Sequence, residues 1–142
     1  MSLDTGFKVN MQIRLDWSEM DLYGHINNVM YFKYLQASRV NYWTMMGIDK
    51  NFKTTNIAPI LASAKCDFKK PLHFPGNIIV QAKLDFIKNS SFGIIHQIIN
   101  EQHEIVAIGN DVMVMYDFSK NEKVLFPDDL KLFIESKERE KN

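Results

Sequence analysis

The sequence predicts an α+β domain: one antiparallel sheet of about five strands wrapped around a single long central helix, with a short helix near the C-terminal end. Three observations carry this reading. Residues 29–46 run without proline or glycine and are too apolar for a helix that faces water. Four later segments read as strands, and the turns between them are too short for the crossover helices that parallel strands need. The whole chain is 142 residues, room for one domain and not two.

Each element follows from a local pattern. At residues 7–15, Phe7, Val9, Met11, Ile13 and Leu15 alternate with Lys8, Asn10, Gln12 and Arg14, the period of a half-buried strand. A polar, turn-prone stretch fills residues 16–28. The helix at 29–46 would be about 27 Å long at 1.5 Å per residue. It stops at Gly47, a residue suited to the left-handed position after a helix, and its composition predicts cover over most of its circumference. Ile60, Ala62, Ala64, Cys66 and Phe68 alternate with Leu61, Ser63, Lys65 and Asp67, and Val80, Ala82, Leu84 and Phe86 alternate with Gln81, Lys83 and Asp85. Pro71, Pro75 and Gly76 punctuate between them. Residues 92–99 and 105–116 are apolar at both parities, which predicts burial of both faces, one on the helix and the other on a second subunit. Asn89-Ser90-Ser91 and Glu101-Gln102-His103 read as turns, so the four strands after the helix are expected in hairpin connection. Residues 128–137 form a short amphipathic helix with an acidic first turn. Residues 1–142 are taken as one domain, with 1–6 and 138–142 expected to be poorly ordered.

Composition narrows the function classes. Hydrophobic residues make up 46% and charged residues 24%, enough for a real core. Lys plus Arg balance Asp plus Glu at 17 each, so no global positive field exists to hold a phosphate backbone, and no nucleic-acid partner is expected. The single cysteine, Cys66, cannot form an intrachain disulfide, and a reducing cytoplasm suits it. No apolar run approaches the ~18 residues of a membrane span, and the N-terminal residues lack a signal-peptide pattern, so no membrane association is expected.

Chemistry concentrates in residues 16–28, Asp-Trp-Ser-Glu-Met-Asp-Leu-Tyr-Gly-His-Ile-Asn-Asn. Carboxylates, an imidazole and two amides crowd a helix N-terminus, where unpaired N–H groups and the macrodipole polarise a carbonyl or hold an anion. That is equipment for acyl transfer. Read locally, the same residues also fit a plainer account: Asp21 in an Asx-turn, Asn27 or Asn28 as a helix cap, and His25 bonded nearby. Glu19, Asp21 and His25 do not have a recognised metal-ligand spacing, and no metal is expected.

The run WSEMDLYGHINNVMYFKYLQASR resembles the N-terminal signature of the hot-dog-fold acyl thioesterases of the 4-hydroxybenzoyl-CoA thioesterase type. The resemblance rests on Asp21 four residues before His25, the HINN run entering the helix, Tyr31, Arg39 inside the helix, and the order of the later strands. The run is similar also to the plant acyl carrier protein thioesterases, whose aspartate and histidine are implicated in catalysis, although Tyr23 stands where that pattern has asparagine. The resemblance implies Asp21, His25 and Asn28 as catalytic residues, with the Asn28 backbone N–H polarising the thioester carbonyl. Gly24, Asn27, Tyr31, Ser63 and Ser91 are the expected substrate contacts.

The chemistry is consistent with these roles. An aspartate carboxylate is ionised at neutral pH and either deprotonates water or attacks the thioester carbon. The helix N-terminus stabilises the resulting oxyanion, and a thiolate leaving group needs little protonation. His25 is assigned a supporting part, since imidazole takes either protonation state near neutrality. The reaction expected is hydrolysis of an acyl-CoA or acyl carrier protein thioester, with no cofactor beyond the coenzyme A of the substrate. The rivals are a β-hydroxyacyl thioester dehydratase or hydratase, and a non-catalytic acyl-thioester binding protein on the same scaffold. The resemblance also implies a homodimer or tetramer, with sheets joined and the site drawing on a neighbour around residues 61–65 or 90–92.

Other candidates are weaker. His96, among isoleucines, reads as a satisfied sheet histidine, and His73 and His103 as solvated turn residues. Cys66 has no adjacent base. Lys65, Lys69 and Lys70 form a solvated strand end or meet the phosphates of coenzyme A. Trp43, Met45 and Met46 suit a core more than an acyl pocket.

Overall fold

The structure, a computed structural model, describes residues 6–140. β1 (Val9–Arg14) leads through a 3-10 turn (Trp17–Glu19) to α1 (Asn28–Met45) and α2 (Ile48–Thr55). Then come β2 (Ile57–Phe68), β3 (Asn77–Ile87), β4 (Ser91–Ile99), β5 (Ile105–Asp117), the two-residue β6 (Glu122–Lys123) and α3 (Asp128–Arg139). The sheet is antiparallel in the order β1-β3-β4-β5-β2, with β6 added to β5. This is the α+β architecture expected, a sheet curled around α1.

The expectation of four hairpin-connected strands holds for β3, β4 and β5 and fails for β2. β2 pairs with β5 at the opposite edge from β1, because β1 already occupies the free side of β3. The connector 69–76 carries the chain across. β2 is consequently an edge strand, and Ile60 and Leu61 on it are exposed.

α1 buries Tyr31, Tyr34, Leu35, Ser38, Arg39 and Tyr42, a spacing of three and four that defines one face. Cover over most of the circumference is therefore not what a single chain provides: Val29, Val40 and Met45 are exposed. α1 comes close to β5 at Gly109, where an added Cβ would lie 2.8 Å from both Cδ atoms of Leu35. β5 alternates between buried and half-buried positions from Ala107 to Asp117, so its second face is only partly covered within the chain. α2 was not expected; its eight residues are largely polar and bury only Ile48.

The core divides in two. One cluster gathers Tyr42, Met46, Phe92, Ile94, Met113 and Ile134, and the other Leu15, Ile26, Tyr34, Leu35, Val80 and Ile98. Ser38 and Arg39 lie on the buried face of α1 between the two sets of helix residues.

The tail, expected to fray from residue 138, stays helical through Arg139. Glu138 gives the reason: its Oε2 accepts from the Tyr42 hydroxyl at 2.6 Å and from the Leu84 N–H at 2.8 Å. The pairing of β1 with β3 ends at Ala82, and Glu138 satisfies a β3 donor beyond it. Burial, then this bond, pushes the Tyr42 hydroxyl well above its ordinary pKa. Residues 1–5 and 141–142, also expected to be poorly ordered, lie outside the described residues.

Candidate active site

The loop between β1 and α1 is built from its own polar side chains. Asp16 caps the 3-10 turn by accepting from the Ser18 N–H at 3.0 Å, and the Glu19 side chain returns to the Asp16 N–H at 3.1 Å. Glu19 is buried, and its carboxylate also accepts from the Tyr34 hydroxyl at 2.7 Å and from Lys33 Nζ at 2.9 Å. Burial works to raise its pKa, but the bonds from Tyr34, Lys33 and the Asp16 N–H outweigh it and hold the carboxyl below its usual range. The Glu19 carbonyl accepts from the Asn27 N–H at 2.8 Å, closing the loop onto the start of α1.

Within that frame Asp21 is held by backbone. Its N–H donates to the His25 carbonyl at 2.7 Å, and its Oδ1 accepts from the N–H groups of Tyr23 at 2.8 Å and His25 at 3.1 Å. Gly24 closes the turn at φ 81°, a left-handed conformation that costs other residues more, and its N–H donates to the Asp21 carbonyl at 3.3 Å. The plainer Asx-turn reading of Asp21 is thus correct, yet it engages only one carboxylate oxygen. Asp21, His25 and Asn28 line one open groove of about 390 Å³, walled also by Tyr31, Phe68, Lys69 and Lys70. Asn28 is the first residue of α1, where the N–H has no intrahelical acceptor. A carboxylate, an imidazole and a helix N-terminus therefore meet at one surface.

The other expected contacts fall differently. Asn27 commits its side-chain oxygen to the α1 cap, accepting from the Val29 N–H at 3.0 Å, and Gly24 serves the turn. Tyr31 is buried and forms the wall: its ring meets Phe68 edge-on at 5.1 Å and its hydroxyl donates to the Lys70 carbonyl at 3.3 Å. Ser63 lies opposite Val112 and Ser91 opposite Val114, on the sheet face turned away from α1, and neither lines the Asp21 groove. Lys70 pairs with Glu104 and Lys65 with Asp67 at 3.6 Å, while Lys69 has no ion-pair partner among the described residues. His73 is exposed, in line with its reading as a solvated residue, and its ring also packs against His25 at 4.6 Å, edge to face. No sequence signal links positions 25 and 73.

Residues 15–134 match the family model of the Thioesterase-like superfamily. The chain belongs to that superfamily. A relative of this thioesterase-like chain, the uncharacterized protein YsmA of Bacillus subtilis (strain 168), is 25% identical over 127 residues, covering 89% of this chain and 85% of the relative. Among solved structures, a 1,4-dihydroxy-2-naphthoyl-CoA thioesterase from Synechocystis superposes with a TM-score of 0.75 at 14% identity, covering 88% of this chain and 93% of the other. A DHNA-CoA thioesterase from Staphylococcus aureus gives a TM-score of 0.77 at 17% identity over 89% and 90%. These structures share the hot-dog fold with this chain, and superfamily membership points to thioester hydrolysis as the general chemistry.

Elsewhere in this thioesterase-like chain, a second polar cluster was missed by the sequence reading. Ser38 Oγ lies 2.9 Å from His96 Nδ1, and His96 Nε2 lies 2.6 Å from Asp111 Oδ2. Arg39 donates to both Asp111 oxygens, from Nε at 2.9 Å and from Nη2 at 3.3 Å. The order Ser, His, Asp resembles a nucleophilic triad, but Ser38 and Asp111 are 1% exposed and His96 0%, so no substrate reaches them. His96 is thereby buried and hydrogen-bonded at both ring nitrogens, the satisfied sheet histidine expected. Burial opposes the charge on Asp111, but bonds from His96 and Arg39 prevail and hold its carboxyl below the usual range. The signal available was Asp111 in an otherwise apolar strand and Arg39 on the stripe of Leu35 and Tyr42, since a buried charge requires a partner.

The remaining candidates are consistent with packing. Burial, then the charge of Asp67, pushes the Cys66 thiol up to about 11, away from the thiolate a nucleophile needs. Met46 is core, and Met45 faces a groove of about 730 Å³ between α1, α2 and α3 that contains none of the expected site residues. Among the described residues no three His, Cys, Asp or Glu side chains converge to hold a metal. No described helix is long and apolar enough to cross a membrane.

Proposed function

We propose that the chain is an acyl-CoA thioesterase in which Asp21 acts as general base or nucleophile on a thioester whose carbonyl is polarised at the N-terminus of α1. The observation that supports this reading best is the shared groove of Asp21, His25 and Asn28. Asp21 uses Oδ1 for the loop, which fixes the carboxylate plane and leaves Oδ2 for water or the thioester carbon. Negative charge developing on the carbonyl oxygen meets the Asn28 N–H where the helix dipole adds to the hydrogen bond. His25 orients Asp21 or the water, or relays a proton. Tyr31 and Phe68 offer the acyl or pantetheine chain an apolar wall.

The assembly belongs to the same reading. Among the described residues β2 leaves one side of a twelve-residue strand unpaired, a geometry that favours pairing with a second copy. Ser63 and Ser91 would then serve a neighbour's groove, and the active species would be a homodimer or a tetramer.

The deciding experiment is free-thiol release across a panel of aliphatic and aromatic acyl-CoA thioesters, with wild type and Asp21→Asn. The asparagine oxygen still accepts the two backbone N–H groups, so the loop stays folded while the base is lost. A fall of about 10² to 10⁴-fold is expected. Turnover of Asp21→Asn at the wild-type rate refutes the assignment. Formation of an enoyl thioester without thiol release selects the dehydratase, and saturable binding without turnover the binding protein.

A further inference from the structure

We infer that His73 is a positioning residue that holds the His25 imidazole in the Asp21 groove, a reading that rests on the thioesterase assignment above. The two histidines are forced together by backbone. His25 and His73 form an antiparallel bridge, and the Ile26 N–H donates to the Leu72 carbonyl at 2.8 Å beside it. Residues opposite each other in such a bridge project to the same side, which is why the rings meet with centroids 4.6 Å apart at 73°.

The segment carrying His73 is itself anchored. Leu72 is buried in the core cluster that contains Leu15 and Ile26, and the Leu15 N–H donates to the Gly76 carbonyl at 2.9 Å. His73 thus stands on a fixed platform. His25 is fixed at its backbone by Asp21, through the two bonds that close the loop. Its ring has no hydrogen bond among the described residues; the ring of His73, itself exposed, packs against it edge to face and is the contact that would bias its rotamer. His25 lines the groove with Asp21 and His73 does not, so His73 acts through His25 and not on substrate.

The test compares His73→Ala and His73→Phe in the full chain. Phenylalanine keeps an edge-to-face ring contact without any nitrogen. A misplacement of about 1 Å costs up to about 10²-fold; for a ring that regains rotamer freedom a fall of about 3- to 10-fold in kcat is expected for His73→Ala, with KM changed by less than about twofold. His73→Phe restores most of it. In a His25→Ala background, His73→Ala is expected to change kcat by less than about twofold, the signature of residues acting as one unit. Equal loss from His73→Ala in both backgrounds makes the residue merely structural and overturns the inference, as does loss of activity in His73→Phe equal to that in His73→Ala. NMR supplies a readout independent of turnover. The ring protons of His25 are expected to shift and lose their single conformation in His73→Ala, and unchanged signals overturn the inference. Absence of thiol release by the wild type with every acyl-CoA would sink the thioesterase reading instead, leaving the NMR result to judge the His25–His73 pair.

Discussion

Replacing Gly109 with alanine tests how α1 is seated on the sheet. The new Cβ would lie 2.8 Å from both Cδ atoms of Leu35 and 3.3 Å from its Cγ, whereas carbon atoms settle at about 3.5 to 4.0 Å. Leu35 is fully buried. Either the helix lifts by most of an ångström or the leucine leaves its rotamer, at about 1 to 3 kcal/mol. For 142 residues the unfolding entropy is about 0.3 kcal/mol/K, so a 2 kcal/mol loss lowers the thermal midpoint by about 7 °C. Calorimetry and urea unfolding measure it. The argument is sharpened by a double-mutant cycle. Leu35→Ala alone costs about 2 to 5 kcal/mol, and it opens the space that a Cβ at 109 would enter. In that background Gly109→Ala should be neutral or stabilising, a coupling of about 1 kcal/mol or more. Any gain from a stiffer unfolded chain cancels in the cycle. The same penalty in both backgrounds, within about 0.5 kcal/mol, would show that the clash with Leu35 is not what glycine avoids.

Three other outcomes are expected. Arg39→Met leaves the buried Asp111 with His96 alone and should cost about 3 to 5 kcal/mol, while Lys33→Met, at the largely exposed end of its ion pair with Glu19, should cost less than about 1 kcal/mol; equal losses in urea unfolding would contradict the difference in burial. Because the folded pKa of Asp111 lies below its unfolded value, the unfolded chain binds the extra proton, and the stabilisation is full above about pH 4 and lost as pH falls through the folded value; the acid slope of the midpoint below about pH 4 should flatten in Asp111→Asn, and an unchanged slope would refute the linkage. Glu19→Ala should detach the Asp21 loop from Tyr34 and Lys33 and lower kcat about tenfold with the helical circular dichroism retained, and wild-type turnover would show that the loop needs no such anchor.

What could be read from the sequence was what local pattern encodes. Phe7 to Leu15 alternates without a miss, and the helix from 29 to 46 has no breaker before Gly47, so β1 and α1 emerge within a residue or two of their expected ends. Strand partnership is not a local property. Whether β2 pairs with β3 or crosses to β5 depends on which edge β1 has taken, and nothing in residues 60–68 records that. The candidate site divides along the same line. Asp21, His25 and Asn28 are close in sequence and enter one groove, but His73 reaches His25 only through a bridge between distant segments. The Asp111–His96–Ser38–Arg39 cluster is hidden because the apolar majority of β4 and β5 dominates their pattern, while His96 and Asp111 meet each other and the α1 residues only in the folded chain.

The polar cluster on α1 acts as a key in a keyway. Ser38 and Arg39 lie ten and eleven residues beyond Asn28, about 15 Å along the helix axis. Apolar residues on either side would tolerate α1 in several axial positions, because leucine, tyrosine and methionine pack adequately against many neighbours. A charged pair has one mate. Sliding α1 by a single turn, about 5.4 Å, would part Arg39 from Asp111 and Ser38 from His96, leaving a buried guanidinium without its carboxylate, so the axial setting of the helix is single-valued. The same rigid rod carries Asn28 at its other end, and the position of that N-terminus beside the Asp21 carboxylate is therefore gauged from deep inside the core, by residues that never meet a substrate.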